Sequence, residues 1–95
     1  MREREALSQD GIVLVNLTMT KEFNAVVYEP DITTRGFILP REGDELISSA
    51  RREIIQAAGR ANGNVRRVVE DTVRDFIYRE TRRRPMVFVN INRVV

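Results

Sequence analysis

Ninety-five residues, 42% of them hydrophobic and 32% charged, make one small globular domain rather than a disordered chain. The absence of histidine and cysteine excludes a disulfide framework, an ordinary zinc site and any acid–base or nucleophilic machinery built on histidine. The formal charge of +2 is too small to identify a nucleic-acid binder by itself, even though Lys21 is the only lysine and every other basic residue is arginine. GC-rich codon usage and recognition of phosphate or carboxylate both account for that excess.

Residues 1–9 are polar, carry both signs of charge and lack the apolar stretch of a signal peptide. They read as a linker remnant or a short helix ahead of a single domain over residues 10–95. No apolar run approaches the roughly 18 residues that a membrane span needs, so no membrane partner is expected and a cytoplasmic location is. Asp10-Gly11 signals a turn. In the next nine residues Val13, Val15, Leu17 and Met19 alternate with Asn16, Thr18 and Thr20, the period of a half-buried strand. Lys21-Glu22-Phe23-Asn24 reads as a turn. Residues 25–29 predict a second strand, broken at Pro30-Asp31, with the chain extended again over residues 32–39. Pro30 lacks an amide hydrogen and suits an edge or a bend. Gly36 marks a bulge or a close backbone approach.

From Asp44 the period becomes helical. Leu46, Ile47, Ala50, Ile54, Ala57, Ala58 and Ala61 share one stripe, with Arg51, Arg52 and Glu53 toward solvent. Gly43-Asp44 is a plausible N-cap, and residues 59–63 contain the stop. A second helix starts at Asn64, whose side chain is expected to cap it. Its apolar stripe is Val65, Val68, Val69, Thr72, Val73, Phe76 and Ile77, while Asp71 and Asp75 are placed to pair with Arg67, Arg74 and Arg79. Pro85 ends the helical segment, and residues 86–95 predict a third strand. The order strand, strand, helix, helix, strand predicts an α+β two-layer sandwich, a three-stranded sheet packed on two helices.

With no helix left for the second sheet face, its apolar residues Ile12, Leu14, Phe88 and Val94 are candidates for self-association. Arg82-Arg83-Arg84 is the densest basic cluster, in a segment (residues 66–84) with seven arginines against four acids. Two readings stay open: the arginines offset the helix dipole, or they contact RNA phosphates. Arg60 and Arg66, flanking the inter-helix turn, are further candidates for phosphate contact. That turn, Gly59-Arg60-Ala61-Asn62-Gly63, stands where KH domains carry a G-x-x-G clamp, but it is one residue too long. Arg35-Gly36-Phe37-Ile38 looks like the start of the aromatic strand motif of RNA-recognition modules, yet the later aromatic positions and the element order are missing. Most carboxylates fall on outer helix faces beside arginines, so no catalytic residue, metal ligand or cofactor is assigned to this chain.

Four separated segments resemble the C-terminal domain of bacterial ribonuclease J. They are Leu7-Ser8-Gln9-Asp10-Gly11-Ile12-Val13, then Pro30-Asp31-Ile32-Thr33-Thr34-Arg35-Gly36-Phe37-Ile38, then Glu45-Leu46-Ile47, and finally Arg83-Arg84-Pro85-Met86-Val87. Asn90 departs from a position where proline is common, and Asn92-Arg93-Val94 replaces an acidic ending. The resemblance implies a non-catalytic C-terminal domain of a metal-dependent endo- and 5′-to-3′ exoribonuclease of the metallo-β-lactamase class, supporting oligomer assembly and RNA processing and decay. It places zinc in a separate catalytic domain of the parent, and it implies self-association and that catalytic domain as partners, with RNA a further candidate. The alternative is a free-standing KH-like RNA-binding module.

Overall fold

The strand at Ile12–Thr20 (β1) becomes the centre of the sheet because it is the segment best able to bury a whole face. Val13, Val15, Leu17 and Met19 are at most 1% exposed in the computed structural model, which describes residues 11–21, 25–36 and 43–94. Asp31–Arg35 (β2) pairs antiparallel on one side of β1, and Met86–Val94 (β3) pairs parallel on the other, giving the order β2-β1-β3. The parallel pairing requires a crossover, which the two helices Gly43–Arg60 (α1) and Val65–Thr81 (α2) supply. Both helices lie on the face that carries Val13, Val15, Leu17, Met19, Val87 and Val89, and the result is the expected two-layer α+β domain.

The helical stripes pack largely as the periodicity requires. From α1, Leu46, Ala50, Ile54 and Ala58 are buried at i+4 spacing. From α2, Val65, Val69, Val73, Phe76 and Ile77 are buried. Ile47, Ala57, Ala61, Val68 and Thr72 flank the stripes and are half-buried. Asp44 and Glu45 in the first turn of α1 and Arg60 in its last turn complement the helix dipole. An exposed ion pair, Arg79 Nη2 to Glu53 Oε2 at 2.7 Å, ties α2 to α1. Arg79 therefore reaches across to the other helix rather than to Asp75, while Arg74 pairs with Asp71 at 2.9 Å as the spacing suggested.

Two local expectations are corrected. Residues 25–29 are not a strand. Val26 makes an isolated antiparallel bridge to Met19, supported by the Val27 amide donating to the Thr18 carbonyl and the Thr20 amide donating to the Ala25 carbonyl, each at 2.9 Å. Pro30 has no amide to extend that ladder and is itself buried, its carbonyl accepting from Arg51 Nε at 3.0 Å. The extended stretch that follows contains the strand Asp31–Arg35. Asn64 does not cap α2 with its side chain: its backbone sits at φ 21°, ψ 53°, following Gly63 at φ 91°. A capping side chain is aimed at the first-turn amides only from an extended backbone, which Asn64 lacks.

Gly36 fulfils the expected close approach. Its φ is +84°, and a Cβ there would stand 3.0 Å from Gly11 Cα on the neighbouring strand end. Residues 1–9, the end of the extended stretch at 37–39 and Val95 lie outside the described residues.

Candidate functional site

The sheet face away from the helices is built by alternation. β1 contributes Ile12, Leu14, Asn16, Thr18 and Thr20, and the parallel register sets Met86, Phe88, Asn90, Asn92 and Val94 beside them in that order. On the other flank, Arg35, Thr33 and Asp31 stand opposite Ile12, Leu14 and Asn16. The face is graded along the strands. At one end Ile12, Leu14, Met86 and Phe88 form an apolar patch, with Met86 46% and Phe88 47% exposed. Next comes an amide pair, Asn90 Nδ2 donating to Asn16 Oδ1 at 3.2 Å, and beyond it threonine and asparagine.

Of the four residues expected on this face, the register brings Ile12, Leu14 and Phe88 together. Val94 is on the same face but pairs with Thr20, roughly 20 Å farther along the strand at its ordinary rise. Met86, which the sequence reading missed, completes the patch. Its signal was the alternation of β3 itself, since it shares parity with Phe88.

The five candidate arginines divide into two groups at opposite ends of α2, about 25 Å apart by helix rise. Arg60 and Arg66 flank the inter-helix turn, where Arg66 lines a hollow with Asn64, Val65, Ile91 and Arg93. Gly59 lies within α1, so the turn proper holds Gly63 alone. A chain path with a single glycine is not the double-glycine clamp of a KH loop.

Arg82, Arg83 and Arg84 stand at the other end. The α2 helix ends with Arg82 in the left-handed conformation (φ 61°, ψ 17°), its amide donating to the Tyr78 carbonyl. The Arg83 amide donates to Thr81 Oγ1 at 3.1 Å, and Thr81 Oγ1 in turn donates to the Ile77 carbonyl at 2.7 Å. Both neighbouring guanidinium groups then fold over one ring. Arg82 Cζ lies 5.3 Å and Arg84 Cζ 4.6 Å from the centre of Tyr78. Hydrogen bonding from Arg84, then from Arg82, and then their positive charges hold the Tyr78 phenol below its ordinary pKa of 10.0. A hollow of about 270 Å³ opens here between Arg74, Asp75, Tyr78, Arg84 and Pro85. Tyr78 was not singled out from the sequence, although Tyr78 and Arg82 stand at i, i+4 on a helix, the spacing at which side chains meet.

The sequence offers no histidine or cysteine, and among the described residues no three carboxylates converge. Among those residues, too, no helix is long and apolar enough to cross a membrane.

Comparison with known proteins matches the family model described as Ribonuclease J C-terminal domain over residues 1–94. The chain is 35% identical over 94 residues to Ribonuclease J2 of Bacillus subtilis (strain 168), an alignment covering 92% of this chain and 17% of that protein. It is 33% identical over 94 residues to Ribonuclease J 1 of Streptococcus pyogenes serotype M3, again 92% of this chain and 17% of the relative. To Ribonuclease J 2 of Staphylococcus aureus (strain NCTC 8325 / PS 47) it is 27% identical over 101 positions, covering 99% of this chain and 18% of the relative. The chain thus spans less than a fifth of the length of the curated relatives it matches.

Proposed function

The chain belongs to the ribonuclease J C-terminal domain family, and from that premise we propose that it is a non-catalytic assembly domain, through which a parent cytoplasmic ribonuclease forms dimers or higher oligomers. The chemistry of RNA cleavage, with the zinc that the family resemblance implies, then belongs to a catalytic domain outside this sequence. The observation that carries this reading is the sheet face that no described helix or strand covers, where exposed Met86 and Phe88 adjoin half-buried Ile12 and Leu14 in a contiguous apolar patch.

A second copy of the same chain is the occupant that fits. The patch carries no charge of its own, and the Asn16–Asn90 pair beside it can both donate and accept hydrogen bonds. Such a surface is complementary to itself, as a two-fold interface requires. The available area sets the strength. Two nine-residue strands and one of five present at most about 360 Å² in projection, less than half of the ~800 Å² per partner in a standard stable interface. The face alone therefore supports weak association, and contacts made elsewhere in the parent would add to it.

Sedimentation equilibrium of this chain over a wide concentration range tests the reading. The expected result is an apparent mass that rises from monomer toward dimer as concentration increases. A monomer at every concentration would overturn it. The single-glycine turn between the helices argues against the KH-like alternative.

A further inference from the structure

We propose that the turn closing α2 is a contact site for single-stranded RNA, in which Arg82 and Arg84, gathered over Tyr78, bind a backbone phosphate with Arg74 at the rim. The proposal takes RNA as its ligand from the reading of the chain as part of a ribonuclease. What it adds is the location and the residues.

Three features of the turn point to an anion. Two guanidinium groups share one aromatic ring, an arrangement in which the cations repel each other and a phosphate between them relieves the repulsion. A guanidinium carries five N–H donors in a planar fork, so bonding to the Tyr78 phenol is compatible with also gripping a phosphate oxygen pair. Finally, the backbone is fixed before any ligand arrives. Arg82 occupies a left-handed position that favours glycine, and Arg84 precedes Pro85, which restricts it to extended conformations.

The nearby acids decide which arginines carry the site. Asp75 lines the same hollow, and Asp71 pairs with Arg74 at 2.9 Å. Arg82 and Arg84 must therefore supply most of the attraction. At the opposite end of α2 the hollow beside Arg66 is lined by Asn64, Val65, Ile91 and Arg93, and none of these described lining residues is aromatic. Single-stranded RNA is held in proteins by arginine planes and aromatic rings along a basic track, which is the combination present at Tyr78.

Fluorescence anisotropy with a short labelled oligouridylate, at low and physiological salt, tests the assignment on this chain. Arg84→Ala should weaken binding about tenfold, the usual effect of losing a hydrogen bond to a charged group. It should also flatten the dependence of log affinity on log salt by about 0.7, the value for one phosphate contact on a single strand. Arg82→Gly separates function from structure. Glycine is at ease in the left-handed position, so the melting temperature should hold while affinity falls. Tyr78→Ala should weaken binding as well, because it removes the platform beneath both arginines. Arg66→Ala, at the far end of α2, should leave affinity within about twofold.

Wild-type affinity retained by Arg82→Gly and Arg84→Ala would overturn the proposal, as would an equal loss in Arg66→Ala, which would mean diffuse attraction. Displacement of the oligonucleotide by inorganic phosphate at a matching phosphate concentration would overturn it too, making free phosphate the ligand. Absence of RNA binding by the wild type would sink this site and leave the assembly reading standing, since sedimentation measures that independently.

Discussion

Replacing Phe88 with serine removes the aromatic ring from the uncovered sheet face without introducing a charge that could repel a partner for unrelated reasons. A phenylalanine side chain presents about 200 Å² of apolar surface, and Phe88 remains 47% exposed, so roughly 90 Å² is available for burial against a second copy. At about 25 cal/mol per Å² that is ~2 kcal/mol per protomer. A two-fold contact uses the residue twice, which sets an upper bound near 4–5 kcal/mol. Burial at a flat interface is incomplete, so the expected loss is ten- to a thousand-fold in the dimerisation constant. The fold should survive, because Phe88 faces away from the helices on an edge strand, where β-propensity differences amount to about 1 kcal/mol at most. A thermal melt by circular dichroism verifies that, and sedimentation equilibrium reads the association. Val94→Ser is the matched control, on the same face but remote from the patch, and it should change association little. Unchanged association in Phe88→Ser, or an equal loss in Val94→Ser, would refute the placement of the contact.

The other predictions concern the scaffold and the arginine turn. Gly36→Ala combines a left-handed backbone with a Cβ 3.0 Å from Gly11 Cα, and should cost about 1–3 kcal/mol in urea unfolding. Gly63→Ala, at φ +91° but with nothing within 4 Å, should cost less, and equal costs would mean that the close approach is unimportant. Ile54→Ala opens a cavity at a fully buried position of α1 and should lower stability by about 2–5 kcal/mol; a loss below 1 kcal/mol would contradict the packing of α1 on the sheet. In a Tyr28→Phe background, absorbance titration should find the Tyr78 phenolate forming below pH 10.0, with Arg84→Ala moving the transition upward. Because folding favours the ionised phenol, its contribution to stability is absent near neutral pH, appears as pH rises through the folded pKa, and is complete above the ordinary tyrosine value. A titration that ignores Arg84→Ala would remove the contact between the two side chains.

The parts of the fold legible in the sequence were those fixed by local period. β1 could be read because its partners on the helix side, Val13 to Met19, alternate without interruption, and both helices because their apolar stripes recur at three and four residues. Residues 25–29 were misread because a β-branched pair, Val26 and Val27, looks like a strand, whereas the ladder depends on amides that Pro30 cannot continue. The candidate face was half legible. Alternation assigned Ile12, Leu14 and Phe88 to one side, but which of them touch depends on the parallel register of β1 with β3, a contact between segments more than seventy residues apart. That register draws Met86 in and leaves Val94 out. Likewise, Arg82 and Arg84 were visible as charge, but their convergence on Tyr78 follows from a left-handed residue at the helix end, which no composition signals.

The topology also keeps the two proposed surfaces from competing. The chain passes from the arginine turn through Pro85 directly into β3, so Arg84 and Met86 stand at the same end of the molecule. They nevertheless belong to different layers. Tyr78 and its arginines lie at the end of a helix, while Met86, Phe88, Ile12 and Leu14 occupy the sheet face turned away from the helices. Layers of this kind are about 10 Å apart, the distance beyond which substitutions sharing no partner act independently. On the two proposals, a copy docked on the sheet face would not occupy the arginine turn, and RNA held at the turn would not occupy the sheet face. Phe88→Ser and Arg82→Gly should therefore each affect one measurement alone, and their double variant should show the two losses unchanged. Loss of RNA affinity in Phe88→Ser for a short oligonucleotide would mean instead that the two surfaces are one.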